Sequence, residues 1–200
     1  LREDRGGEVV VVTCWDEESE AALRRCLAMG ADRAVRVEAV GGHDPIRVAR
    51  ALVGAVADEK PDLVLCGVQS SDAVQAATGT ALAELLGLAR VAVVTKVELR
   101  DGGARVHREL EGGLVDVVDV DLPALLTIQT GTNQPRYANL RAIKQAEQVE
   151  IPVRPAGGGE AASRVRRMFV PERGEGAEML GTDPAEIARR IADLVRERAA

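Results

Sequence analysis

The sequence predicts an α/β protein: an open, mostly parallel sheet flanked by helices, with a small antiparallel meander and an extended C-terminal arm plus helix. Three observations carry this reading. Residues 1–99 alternate strand and helix signals; two Gly-Gly pairs then punctuate short β-branched runs; beyond Glu150 periodicity vanishes until one amphipathic helix closes the chain. Strands that alternate with helices form a parallel sheet, because each helix crosses over the sheet and returns the chain to start the next strand in the same direction.

Residues 9–13 are a continuous apolar, β-branched run, as a strand covered on both faces requires. Residues 19–29 read as a helix with Leu23, Cys26 and Leu27 on one side and Gly30 as its stop. Residues 34–37 are a short strand. Asp44 then caps a helix that has Pro45 at its first position, where the missing N–H costs nothing. Ile46, Ala49, Val53 and Val56 follow at helical spacing. Residues 62–66 make another buried strand, 78–86 a helix with Ala81, Leu82 and Leu85 inward, and 91–94 a strand. Short strands are expected at 95–99, 105–110 and 114–120; Gly102-Gly103 and Gly112-Gly113 separate them as the turns of a meander. Residues 124–128 are a last core strand, and 140–148 a helix. From Glu150 the chain is rich in Pro, Gly and Arg, with Gly157-Gly158-Gly159 at its centre, and reads as an extended arm. Asp183 caps a final helix with Pro184 first and Glu186 third. Ile187, Ile191, Leu194 and Val195 give that helix an apolar face, which docks on its own domain or on a partner. The expected division is an α/β domain over residues 1–150 and an arm plus helix over 151–200.

Composition narrows the function. The 200 residues are 46% hydrophobic and 29% charged, and the 2% that are aromatic amount to Trp15, Tyr137 and Phe169. The core is therefore Val, Leu, Ile and Ala, and a base-stacking platform for nucleic acid lacks the rings it needs. A net charge of −6 also argues against a polyanionic partner. No apolar run approaches the ~20 residues of a membrane span. Cys14, Cys26 and Cys66 are odd in number and widely spaced, unlike a disulfide framework or a zinc motif. His43 and His107 stand at no metal-ligand spacing from a Cys or carboxylate. The expected compartment is reducing, and no signal peptide is visible. The chain opens Leu1-Arg2-Glu3-Asp4-Arg5, without Met, and runs into a strand, so an N-terminal piece is expected to be missing.

Four segments carry candidate chemistry. Cys14 and Cys66 each end a predicted parallel strand, the edge where open α/β sheets bind ligands; the plainer reading is two small buried residues. Gly67-Val68-Gln69-Ser70-Ser71-Asp72, followed by Ala76-Ala77-Thr78-Gly79, joins a strand to a helix. Its small and hydroxyl residues can turn backbone N–H groups toward a phosphate at the positive helix end, although it matches neither GxGxxG nor Walker A. The plainer reading is an ordinary loop. Asn133-Gln134-Pro135-Arg136-Tyr137-Ala138-Asn139-Leu140 sets Arg136 and Tyr137 in a loop beyond a core strand, a partner contact or a solvated turn. Ser163-Arg164-Val165-Arg166-Arg167-Met168-Phe169-Val170-Pro171 mixes Arg with apolar residues, as does a segment laid on a partner's surface; the alternative is a basic tail. No Ser-His-Asp or Cys-His constellation is spaced for catalysis, and Glu109 and Glu111 give no reason to be paired. No catalytic residues are expected.

The stretch V-H-R-E-L-E-G-G-L-V-D-V-V-D-V-D-L-P at 106–123 resembles the signature of electron transfer flavoprotein beta subunits, an Arg-Glu pair followed by an acidic residue, Gly-Gly and a strand. Leu27-Ala28-Met29-Gly30-Ala31-Asp32-Arg33, Pro61-Asp62-Leu63-Val64 before the 69–79 loop, and the 133–140 segment resemble the family in the same order. The similarity covers roughly residues 8–181. The versions at 69–72, 126–129 and 163–174 look closest to the bacterial carrier that serves trimethylamine dehydrogenase.

The resemblance implies a Rossmann-like fold of the adenine nucleotide alpha hydrolase type. It also implies a heterodimer whose FAD lies mainly in the alpha subunit, a structural AMP in the beta subunit, transient docking of flavin-containing dehydrogenases, and a bacterial cytoplasmic location. By position, Cys14, Gly67, Gln69, Asp72, Ala76, Ala77, Thr78 and Gly79 match the AMP pocket, with Asp72 and Thr78 the clearest. Arg136, Tyr137, Ala138, Asn139 and Leu140 match the dehydrogenase-recognition loop, with Leu140 as its apolar anchor. The family's first strand, first helix and an Asn-rich AMP-contacting segment correspond to sequence upstream of Leu1. Bifurcating relatives hold a second FAD in place of AMP and carry Gly, Asp and Thr directly after the loop Asp; here Ala73-Val74-Gln75 follows. The alternatives are therefore such a relative, or a stand-alone adenine-nucleotide module of the stress or signalling type. The 106–123 signature and the C-terminal arm favour the carrier subunit.

Overall fold

The strands are β1 (Val10–Cys14), β2 (Arg33–Val37), β3 (Leu63–Gly67), β4 (Ala89–Arg100), β5 (Gly103–Glu109), β6 (Val115–Asp121), β7 (Ala124–Ile128) and β8 (Val153–Arg154). The helices are α1 (Arg2–Arg5), α2 (Glu20–Ala28), α3 (Pro45–Asp58), α4 (Thr78–Leu86), α5 (Leu140–Glu147) and α6 (Pro184–Ala199). They come from a computed structural model that describes residues 1–41, 44–170, 176–177 and 179–199; His43 and residues 171–174 of the arm lie outside the described residues. Leu1–Val165 forms one compact unit and Arg166–Ala200 another.

The first unit is α/β with mostly parallel core strands. β1 pairs β2, and β2 pairs β8, all in parallel. β3, β7 and the first part of β4 are also parallel. The rest of β4 pairs antiparallel with β5, and β5 with β6, which is the expected meander. The hydrogen-bonded orders are β1-β2-β8 and β3-β7-β4-β5-β6. One apolar cluster unites them: Val12 of β1 joins Leu52 and Val53 of α3 and Val64 and Cys66 of β3.

β4 is one strand of 12 residues where the sequence predicts two. The change of partner is made at a bulge, with the register against β7 shifting between Val91 and Val94. Val93 has φ 60°, which a β-branched residue rarely adopts. Its displaced N–H donates to the buried Thr127 hydroxyl at 3.0 Å, so this amide keeps a partner at the bulge. The sequence carries no signal for helix α1 either. Its four residues have no periodicity; Arg2 holds it by donating to the Gly30 carbonyl at 2.8 Å and pairing with Asp32.

The extended arm expected from Glu150 begins inside the first unit. Ile151 is buried beside Leu23 and Leu27. β8 follows, and then Gly157 donates its N–H to the Ala51 carbonyl of α3 at 3.2 Å. A Cβ at Gly157 would stand 2.3 Å from the Arg50 carbonyl oxygen, so only glycine allows this approach. Arg50 donates to the Glu160 carbonyl at 2.7 Å. The strap closes at Asp44, the buried N-cap of α3. One of its oxygens accepts the Ile46 and Arg47 N–H groups at 2.8 and 2.9 Å, and the other accepts the N–H and hydroxyl of Ser163.

These donors, the Arg47 amide foremost, hold the Asp44 carboxyl below its ordinary value despite opposing burial. A depressed carboxylate pKa stabilises the fold above the unfolded value near pH 4. That contribution is lost as pH falls through the folded value. Asp44→Ala is therefore expected to melt about 5 °C lower at pH 7, with the gap narrowing at pH 3. Paired thermal melts at the two pH values check this; an equal gap at both removes the carboxylate from the account.

In the second unit, Asp183 caps α6 as predicted, accepting the Ala185 and Glu186 N–H groups at 2.7 and 3.2 Å. Ile191 and Val195 on the apolar stripe of α6 remain exposed.

Candidate functional site

Two parallel strands end where the sequence places ligand chemistry. Cys14 closes β1, buried against Val37, Ala51 and Ala55, with its thiol donating to the Glu38 carbonyl at 3.3 Å. Cys66 lies one residue before the end of β3. Burial pushes both thiols above the ordinary cysteine value, so both are protonated near neutral pH and neither is an activated nucleophile.

After Gly67 the chain loops outward through exposed Gln69 and Asp72 to α4. Asp72 accepts the Ala73 N–H at 2.7 Å. Val74 and Ala76 take left-handed φ values of 51° and 49°, which cost energy for residues with a Cβ. Left-handed residues of this kind occur in anion-binding turns; here the Val74 N–H is already given to the Ser70 carbonyl at 3.3 Å. Ala77, at the N-cap of α4, offers no side-chain hydrogen bond, so the first N–H groups of α4 have no side-chain cap. Gly79 is buried, and a Cβ there would meet the Thr127 methyl at 2.9 Å and the Cys66 Cβ at 3.2 Å. Glycine thus lets the start of α4 lie directly on the carboxyl ends of β3 and β7. Gly67, Ala76, Ala77, Thr78 and Gly79 are brought together around this helix end, whose partial positive charge and unfilled donors fit a phosphate. Cys14 belongs to the neighbouring cluster, which shares Val12 and Leu52 with the one around Cys66.

The second predicted site lies at the start of α5. Asn139 caps the helix, accepting the Ala142 N–H at 2.8 Å. Arg136 pairs with Glu3 at 2.7 Å, Ala138 is half-buried, and Tyr137 projects fully into solvent. Leu140 opens the helix yet is 78% exposed, so it does not pack on the core. Leu140, Arg141, Lys144, Gln145 and Gln148 line one surface hollow, an apolar point among cationic and amide groups. In the second unit Arg166 is exposed, the Arg167 guanidinium stacks 4.9 Å from the Phe169 ring centre, and Met168, Phe169 and Val170 are exposed. Among the described residues no group of His, Cys, Asp and Glu is arranged for a metal ion. No helix among them is long and apolar enough to cross a membrane.

Comparison with known proteins gives this geometry its context. A family profile described as the electron transfer flavoprotein domain matches residues 1–157. The chain belongs to the electron transfer flavoprotein family. It is 43% identical to the electron transfer flavoprotein subunit beta of Methylophilus methylotrophus, over 97% of this chain and 78% of that protein. The subunit beta of Bacillus subtilis is 32% identical over the whole of this chain and 81% of its own length. The caffeyl-CoA reductase-Etf complex subunit CarD of Acetobacterium woodii is 33% identical over 98% of this chain and 80% of its own. Electron transfer as a beta-type component of a flavoprotein is the function these relatives support.

Proposed function

We propose that this chain is the beta subunit of a heterodimeric electron transfer flavoprotein of the bacterial cytoplasm. It binds a structural AMP, supports an alpha subunit that carries the FAD, and docks flavin-containing dehydrogenases. The observation that carries the nucleotide reading is the start of α4, which has no side-chain cap, lies on the sheet's carboxyl edge and is preceded by two left-handed residues with side chains. A single helix end with backbone donors suits one phosphate. In this reading Cys14, Gly67, Gln69, Asp72, Ala76, Ala77, Thr78 and Gly79 line the AMP site. Arg136 to Leu140 meet the dehydrogenase, and Arg166, Arg167, Met168 and Phe169 lie on the alpha subunit.

The run Ala73-Val74-Gln75 favours AMP over the second FAD of a bifurcating relative. Denaturing the purified heterodimer and quantifying the released nucleotides tests this: one FAD and one AMP per dimer is the expected result. Two FAD per dimer overturns it in favour of bifurcation, and a chain that purifies with nucleotide but no flavoprotein partner favours the stand-alone module.

A further inference from the structure

Helix α5, which presents Leu140, is seated by its far end. Its first turn is exposed and capped from its own loop by Asn139. Of its eight residues only Ala146, in the last turn, is buried, packed with Leu23 and Leu27 of α2, Ala34 and Ile151. The last carbonyls of a helix lack intrahelical donors and carry its partial negative charge. Arg24 of α2 answers both needs. Its Nη1 donates to the carbonyls of Ala146, Glu147 and Val149 at 2.8, 3.2 and 3.1 Å.

Arg24 is itself held in place. Glu20, one turn earlier on α2, pairs with Arg24 Nη2 at 3.6 Å and with Arg36 Nε of β2 at 3.7 Å. Arg36 Nε is buried without a hydrogen bond, so the Glu20 carboxylate is a charge that offsets it. Arg36 also donates to the Trp15 carbonyl, just after β1, at 3.4 Å. Through these pairs the guanidinium on α5 is tied to the β1–β2 edge. Leu140 stands about 9 Å along the helix from Ala146. A tilt of about 10° at the seated end moves Leu140 by about 1.5 Å, where a preorganised site tolerates about 0.5 Å. We propose that Arg24 is a positioning residue for docking: its hold on the last carbonyls of α5 sets the angle at which that helix offers Leu140 to the dehydrogenase. The inference rests on the docking role proposed above for Arg136 to Leu140.

The test uses the complete FAD-loaded heterodimer and the flavin-containing dehydrogenase of the same source that reduces it fastest. Stopped-flow reduction across dehydrogenase concentrations gives a half-saturating concentration and a limiting rate. Arg24→Met keeps the stem and removes the donors. Half-saturation should rise about tenfold, with limiting rate, flavin spectrum and nucleotide content unchanged. Arg24→Lys keeps a charge at the negative helix end without the planar guanidinium, and should recover to within about threefold of the parent. Leu140→Ala closes the cycle: with Leu140 gone, Arg24→Met should add less than about twofold, because both act through one contact. Unchanged half-saturation in Arg24→Met, or effects of the two substitutions that multiply in full, overturns the inference and leaves Leu140 as the anchor. If Arg24→Met does not fold, Arg24→Lys takes its place in the cycle, with an expected rise of about threefold and the same overturning outcomes. If Leu140→Ala leaves half-saturation unchanged, or no dehydrogenase reduces the heterodimer, the docking role itself falls and takes this inference with it.

Discussion

A chain ending at Val165 is expected to lose the alpha subunit almost completely, with an affinity at least ~1000-fold lower, while its α/β unit melts within about 2 °C of the parent. Met168, Phe169 and Val170 are exposed in the second unit, as are Ile191 and Val195 of α6. Burying the first three alone contributes roughly 5 kcal/mol before ordering costs, and ~1000-fold in affinity corresponds to about 4 kcal/mol. The cut is placed at Val165 because Ile151, β8, Gly157 and Ser163 all bond within the first unit; a cut at residue 152 would also remove β8 and the Asp44 partner. Gel filtration of the co-expressed subunits with a thermal melt of the truncated chain reads both quantities. A truncated chain that still co-elutes with a flavin-bearing subunit at unchanged affinity removes the arm from assembly.

Leu140→Ala is expected to slow electron uptake from the dehydrogenase at sub-saturating concentration by about 30-fold, leaving folding and AMP and FAD content unchanged. An apolar side chain presented from a capped helix end, with Arg141 and Lys144 beside it, is how small transient interfaces combine grip with steering. Removing such an anchor costs about 2 kcal/mol. Leu140 is exposed, so its loss opens no cavity in the core. Stopped-flow reduction of the flavoprotein across a range of dehydrogenase concentrations, beside a melt, separates the outcomes. A lower melting temperature with normal uptake by the folded fraction makes Leu140 a structural residue.

Local chemistry made most elements legible. Residues 78–86 and 124–128 form the helix and strand the sequence predicts, because spaced apolar positions and a continuous, largely buried apolar run each announce their own period, although Leu85, expected inward, is 45% exposed. The double life of β4 was not legible: nothing local in Ala92-Val93-Val94 says that one strand serves a parallel and an antiparallel neighbour. The strap at 150–163 escaped for another reason. Its contacts are made largely by backbone atoms, at Gly157 and at the Glu160 carbonyl, so its side chains carry no hydrophobic period. At the candidate sites, residue types pointed to the α4 loop and to Leu140. Whether Leu140 faced core or solvent depended on the angle at which α5 leaves Asn139, which only the folded chain defines.

The contacts of that strap also set an order of events on the ribosome. Asp44 and Ser163 are 119 residues apart, and Arg50 meets the Glu160 carbonyl across 110. Most of the first unit has therefore left the exit tunnel before the strap is translated, and α3 waits for its last partner. Contacts of such sequence separation close late. Until Ser163 is made, one Asp44 oxygen lacks both of its donors from the strap, so the N-terminus of α3 is among the last parts of the first unit to be completed.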